Sequence, residues 1–218
     1  ELSAAIDNAS TMAEVEDLYR PYKQKRRTRA SIAREKGLEP LAAAIFAQDG
    51  FDPNELAKDY IDPEKGVNTV EEALASASDI IAEDLSDDAD IRKGLRELMN
   101  RKALLVCKAE DPETDSVYRL YYDFSSPVSK LMDHQILAIN RGEKEGILKP
   151  SISLPGNDGA ALVCRAALKP VMNVSAFVRA AAVDAYERLI FPSLQREVRS
   201  ELTDRAGQGA IRNFALNL

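Results

Sequence analysis

No apolar run in the 218-residue sequence approaches the roughly 18 residues of a membrane span, and no signal-peptide core is present. Histidine occurs once. A Ser-His-Asp or Cys-His mechanism would have to use His134, which lies in a helical pattern among Ile136, Leu137 and Ile139 and reads as a packing or hydrogen-bonding residue. The two cysteines, Cys107 and Cys164, stand 57 positions apart and form no Cys-x-x-Cys or Cys/His ligand cluster, so they read as ordinary reduced cysteines. Gly156 and Gly159 lack the Lys-Ser/Thr of a phosphate loop and read as turn glycines. Asp84, Asp87, Asp88 and Asp90 crowd one stretch. A calcium loop begun at Asp88 would nevertheless put Arg92 and Lys93 at its fifth and sixth positions and Met99 at its twelfth, so a solvated helix start is the better reading. No internal repeat or low-complexity tract is present, and no catalytic, metal or cofactor site is expected.

Hydrophobic residues make up 45% and charged residues 30% of the chain, as in globular proteins. The length permits one or two domains, and a chain of this size buries about 70% of its unfolded surface without disulfides or metals. A cytoplasmic setting is expected. The net charge of −7 hides an asymmetry. Arg20, Lys23, Lys25, Arg26, Arg27, Arg29, Arg34 and Lys36 face only Glu35 within residues 20–36, a local charge of +7 that leaves −14 on the rest. From Glu71 to Asp90 there are eight acidic residues and no basic one. Such a chain is not coated for general DNA binding, but it carries a local patch of phosphate-binding chemistry.

Helix signals are dense. Thr11 with Glu14, Asp52 with Glu55 and Thr69 with Glu72 match capping boxes. Pro40 and Pro53 suit first helical turns, and Gly37 and Gly50 suit helix stops. Val70, Ala73, Leu74, Ala77, Ile80, Ile81 and Leu85 draw one apolar face, continued by Ile91, Leu95, Leu98 and Met99. Residues 117–124 are aromatic-rich and too short for the period to separate helix from strand. Ile147 to Leu154, the turn Pro155-Gly156-Asn157-Asp158-Gly159, and Leu162-Val163-Cys164 read as a β-hairpin, with Pro150 confining one strand to an edge. From Ser175 the chain reads as a helix that Pro192 kinks or splits, with Ile190, Leu194, Val198 and Leu202 on one face. The expected fold is mainly α, multi-helical, with helix-turn-helix-like elements and one small β-hairpin. It divides into a helical region over 1–125 and a central region over 126–218, with the boundary open and interleaving allowed.

The basic segment offers Lys23, Lys25, Arg26, Arg27, Arg29 and Arg34 as nucleic-acid contacts, with Tyr19 and Tyr22 available for stacking. The competing account pairs these cations with the acidic 71–90 region or another domain, because an Arg fork fits carboxylates equally well. Ala33, Gly37 and Leu38 are spaced as in a helix-turn-helix, with Pro40 restricting entry to the second helix. Arg141, Glu143, Lys144 and Glu145, around Gly142, combine a helix stop with alternating charges. They read either as surface ion pairs or as a docking surface for another domain.

The run Glu16-Asp17-Leu18-Tyr19-Arg20-Pro21-Tyr22-Lys23 resembles the Tex family of bacterial transcription accessory proteins, and the resemblance continues through Lys25–Ala30 and Ala33–Leu41. Leu137–Glu145, Arg188-Leu189-Ile190, Pro192-Ser193, Arg199, Glu201-Leu202-Thr203, Phe214-Ala215 and Asn217-Leu218 resemble it as well. The resemblance implies the amino-terminal, mostly helical part of a longer protein. Its further domains would be an RNase H-like domain, a helix-hairpin-helix domain and a C-terminal OB-fold that makes the main nucleic-acid contact. Glu1 in place of Met and the apolar closing segment fit an excised piece whose parent continues. Implied partners are nucleic acid, bound weakly and without sequence preference, RNA polymerase, and the remaining domains, with no membrane. An autonomous helix-turn-helix DNA-binding regulator is the alternative.

Overall fold

The computed structural model describes residues 2–9, 11–23, 27–169 and 176–216. Lys25, Arg26 and Ser175 lie outside them. The chain separates into two compact units, each built from two stretches: Glu1–Leu95 with Asp158–Ile190, and Arg96–Asn157 with Phe191–Leu218.

The first unit contains α1 (Leu2–Asp7), α2 (Met12–Tyr19), α3 (Arg29–Glu35), α4 (Glu39–Ala47), α5 (Pro53–Lys58), α6 (Val70–Asp87) and the first part of α7 (Ala89–Lys102). Its hub is α6, which packs against α3, α4 and α5. Ala73, Ala77, Ile80, Ile81 and Leu85 form the expected buried face, and Ala82 is buried as well, so the helix is covered on more than one side. Thr69 starts α6 by accepting a hydrogen bond from the Glu72 amide (3.2 Å), while the Glu72 carboxylate accepts from the Asn68 amide (2.7 Å). Asp88 starts α7 by accepting from the Ile91 amide (2.9 Å), which is the solvated helix start expected there.

Residues 158–167 are helical (α9, Asp158–Ala167), which corrects the expected second strand at Leu162-Val163-Cys164. Buried Gly159, Val163, Cys164 and Ala167 recur at helical spacing, and the turn ahead of them leads into a helix instead of a returning strand. Gly159 is needed there: a Cβ at this position would lie 2.4 Å from the Tyr186 hydroxyl. The helix α10 (Ala176–Asp184) follows, then a π-helical segment over Ala185–Ile190, both packed on α6. The π segment stands where Pro192 predicts an interrupted ladder, because proline donates no amide hydrogen and crowds the carbonyl one turn earlier.

In the second unit, β1 (Leu104–Ala109) is the centre of a three-stranded antiparallel sheet between β2 (Asp123–Pro127) and β3 (Leu148–Ser153). The strand expected around Pro150 is present, but its partner is β1: Leu105 faces Ile152 and Cys107 faces Pro150. The Glu110 amide donates to the Ile147 carbonyl and the Ala109 amide to the Tyr122 carbonyl. The alternation these bonds set leaves the Pro150 nitrogen turned away from β1, so its missing proton costs no ladder bond. The ambiguous stretch resolves into a 3-10 turn, Arg119–Tyr121, followed by β2. One face of the sheet, with Leu105, Cys107, Leu148 and Ile152 buried, is covered by α8 (Asp133–Lys144) and α11 (Phe191–Leu216). Leu194, Val198 and Leu202 of α11 are buried as expected. Among the described residues no helix is long and apolar enough to cross a membrane. The protein is mainly α with this small sheet.

Candidate functional site

The basic segment divides by partner. Asp17 of α2 meets Arg92 of α7 at 2.6 Å, with side chains 5% and 1% exposed. Glu14 meets Lys93 at 3.1 Å. On the 3-10 turn Arg20–Tyr22 that follows α2, Arg20 bonds Asp87 at the end of α6 (3.2 Å). Acids on α2 thus grip bases on α7, while a base on the turn grips an acid on α6. These three pairs hold the stretch that leads into the basic loop.

Lys23, Arg27 and Arg29 are exposed. Arg27 reaches Glu35 at 3.4 Å, but both side chains are mostly in solvent, so the pair contributes little. Arg29 is the first residue of α3, where the helix dipole disfavours a cation, so helix stability does not account for it. The helix is started instead by a reciprocal box. Thr28 Oγ1 accepts from the Ser31 amide (3.0 Å) and Ser31 Oγ accepts from the Thr28 amide (2.8 Å). Arg34 turns inward to Glu83 (2.6 Å), Asp84 (2.5 Å) and Glu39 (3.6 Å). Burial alone would lower its pKa, but the Glu83 hydrogen bond and the three carboxylate charges outweigh burial and raise it. Lys36 donates to the Gly66 carbonyl (2.8 Å).

A cleft of about 670 Å³ opens between this segment and the end of α6, with Lys23, Ser31 and Arg34 facing Glu83, Asp84, Asp87 and Asp88. Its acidic wall repels phosphate, so the surface that suits an anionic strand is the exposed side carrying Arg27 and Arg29, outside the cleft lining, with exposed Lys23 at the cleft's edge. Lys25 and Arg26 belong to the same stretch of sequence but lie outside the described residues.

The helices α3 and α4 are joined by a tight turn, with Gly37 at φ +82° and the Leu38 amide bonded to the Ala33 carbonyl (3.2 Å). The second helix, Glu-Pro-Leu-Ala-Ala-Ala-Ile-Phe-Ala, buries Leu41, Ala42 and Ile45 and contains no side-chain donor for a base edge. A recognition helix needs such donors, so this geometry does not favour the DNA-reading regulator.

In the second unit, α8 continues through Gly142 and ends at Lys144, with Gly146 at φ +73° making the stop. A Cβ on Gly142 would lie 2.6 Å from Leu148 Cδ1, so the glycine lets β3 approach. Glu143 bonds Arg199 (2.6 Å), and Glu145 accepts from the Tyr118 hydroxyl (2.8 Å). Arg141 and Lys144 are exposed. All four are exposed, and the two acids are tied into the unit by these bonds. His134 is exposed at the start of α8. Asp17 and Arg92 were not singled out by sequence, although Arg92 interrupts the Ile91/Leu95/Met99 face of α7, and a charge on an apolar face signals a buried partner.

A family profile described as Tex central region-like matches residues 48–214. The chain is 37% identical over its whole length to Protein tex of Bordetella pertussis and covers 30% of that protein. It is 40% identical to the YdcI protein of Bacillus subtilis, again over its whole length, covering 31% of it. It is also 30% identical to the human S1 RNA-binding domain-containing protein 1, of which it covers 23%. The chain thus spans about a third or less of the curated relatives it matches.

Proposed function

Because the chain belongs to the Tex family, we propose that it is a non-catalytic scaffold portion of a Tex-like transcription accessory protein, cytoplasmic and associated with nucleic acid and the transcription machinery, RNA polymerase included. Its task is to position the remaining domains and to present Lys23, Lys25, Arg26, Arg27 and Arg29 to a phosphate backbone. The observation that carries the nucleic-acid part is the division of labour in the 20–36 segment. Arg20 and Arg34 are held by carboxylates of α6, whereas Lys23, Arg27 and Arg29 face solvent and add nothing evident to the fold. The segment precedes the profile match but falls within the whole-chain alignments to the Tex relatives. The human relative's name points to RNA as the probe. Arg141 and Lys144 are the proposed docking positions for a further domain, with Glu143 and Glu145 fixing the local backbone from which they project.

The test is to replace Lys23, Arg27 and Arg29 together with Gln and measure RNA binding by anisotropy at low salt beside a thermal melt. Weaker binding to every RNA sequence, with an unchanged melt, is expected. A large fall in melting temperature with unchanged binding would make the cluster structural and remove it from the function.

A further inference from the structure

The helix α11 carries two faces. Leu194, Val198 and Leu202 are buried, while Gln195, Arg196, Arg199, Ser200 and Thr203 recur at helical spacing on another side. That polar side forms one wall of a groove of about 690 Å³ within the second unit. The other walls come from α8 and β3, the latter contributing Ser151. Among the described residues Glu143 is the only carboxylate lining the groove and no aromatic side chain lines it, so its charge there is positive and it offers no stacking platform.

The donors fall into two sets. Arg199 is held in place: its Nη2 donates to Asn140 Oδ1 (2.9 Å) and to Glu143 (2.6 Å). Asn140 donates in turn to Thr203 Oγ1 (2.9 Å), and Thr203 to the Arg199 carbonyl (2.9 Å). Gln195 bonds the outward carbonyl of Ile152 on β3 (2.5 Å). A fixed guanidinium supplies directed charge at little entropic cost. Its other terminal nitrogen, Nη1, is buried and takes no acceptor among the described residues. Arg196, Ser200 and Ser151 line the same groove and are exposed. Guanidinium and hydroxyl donors around a positive, non-aromatic groove match a phosphate oxyanion and offer no stacking face to a base.

We propose that this groove is a phosphoryl-binding site, with Arg196, Ser200 and Ser151 as its donors and the fixed guanidinium of Arg199 adding positive charge beside them, separate from the basic segment. It deepens the nucleic-acid part of the proposed function by adding a second, sequence-independent contact, and the phosphoryl group belongs either to a strand or to a free nucleotide.

The test compares wild type, Arg196→Gln/Ser200→Ala, and the Lys23/Arg27/Arg29→Gln variant. Neither groove substitution touches the Arg199–Glu143 pair. With a short labelled uridine-only RNA, losing one phosphate contact weakens binding about five-fold near 0.1 M salt and flattens the logarithmic salt slope by about 0.7. The groove variant is expected to show this loss both alone and combined with the basic-segment variant. In a second arm, AMP and inorganic phosphate are added to thermal melts. Stabilisation of wild type by AMP but not of the groove variant assigns the site to free nucleotide, and loss confined to RNA assigns it to a strand. If the groove variant binds RNA as wild type does, and AMP stabilises neither, the groove proposal falls while the basic segment keeps its role. If wild type binds no RNA at low salt but AMP stabilises it through Arg196, the groove stands and the nucleic-acid reading falls.

Discussion

Substitution of Asp17 by Asn tests the deepest electrostatic joint in the protein. The pair with Arg92 is 2.6 Å long, and its side chains are 5% and 1% exposed. Burying a guanidinium is repaid only while a negative partner stays in place, so deleting that partner's charge costs about 3–5 kcal/mol, far above the about 0–1 kcal/mol of a surface pair. At about 2–4 °C per kcal/mol for a chain of this size, the melt should fall by about 6–20 °C. The same variant should speed amide exchange in α2, because the pair is one of three that anchor it and the turn carrying Lys23. The assay is a double-mutant cycle with Arg92→Met, which keeps an unbranched apolar stem while removing the charge. The double variant should recover much of the stability lost by Asp17→Asn alone. A fall of less than about 2 °C for Asp17→Asn, with α2 exchange unchanged, would refute the reasoning and show that the charge pairing contributes little to stability.

Gly142→Ala should destabilise the second unit by about 1–3 kcal/mol, seen in urea unfolding, because the added methyl meets the buried Leu148 side chain. A neutral effect would show that Leu148 can move aside. Burial pushes the Cys107 thiol up to about 11, so in native protein at pH 8 it should resist a thiol reagent that modifies it readily after unfolding. The sign for stability follows: the native state keeps the neutral thiol, so its contribution is complete below the unfolded-state value and is lost as pH rises toward about 11. Titration of melting temperature for wild type and Cys107→Ala checks this, and identical alkaline profiles would refute it.

The helical class was legible because caps and apolar faces are local signals: Thr69, Asp88 and the Ala73–Leu85 face act in the structure as their sequence suggests. The sheet was not, apart from the strand that Pro150 marks. Leu104-Leu105-Val106-Cys107 follows a helix without a break, so its period blends into the apolar pattern before it. The Pro155–Gly159 turn has the composition of a hairpin yet introduces α9, because turn residues state that the chain turns and not what it turns into. The candidate site was half legible. Charge density located the basic segment, but which cations are spoken for depends on pairings such as Arg34 with Glu83, 49 residues away, which no local pattern encodes.

Those pairings alter what the charge predicts. Counted by sequence, the 20–36 segment brings eight cations to a strand. Arg20 and Arg34 are held by α6 carboxylates, and Lys36 donates to the Gly66 carbonyl. To release Arg34 the protein would have to break its bonds to Glu83, which is largely buried, and to Asp84. The remaining five, Lys23, Lys25, Arg26, Arg27 and Arg29, fall within residues 23–29. Each phosphate neutralised on a single strand contributes about 0.7 to the logarithmic salt slope, so this segment should contribute no more than about 3.5, against about 5.6 if all eight took part. Subtracting the slope of a variant with all five replaced by Gln from that of wild type isolates the segment. An Arg34→Gln variant separates the two accounts: it should lower the melting temperature and leave the slope unchanged. A slope flattened by about 0.7 in Arg34→Gln would show that nucleic acid competes successfully with Glu83 and Asp84, and that the acidic end of α6 acts as a gate on the basic segment.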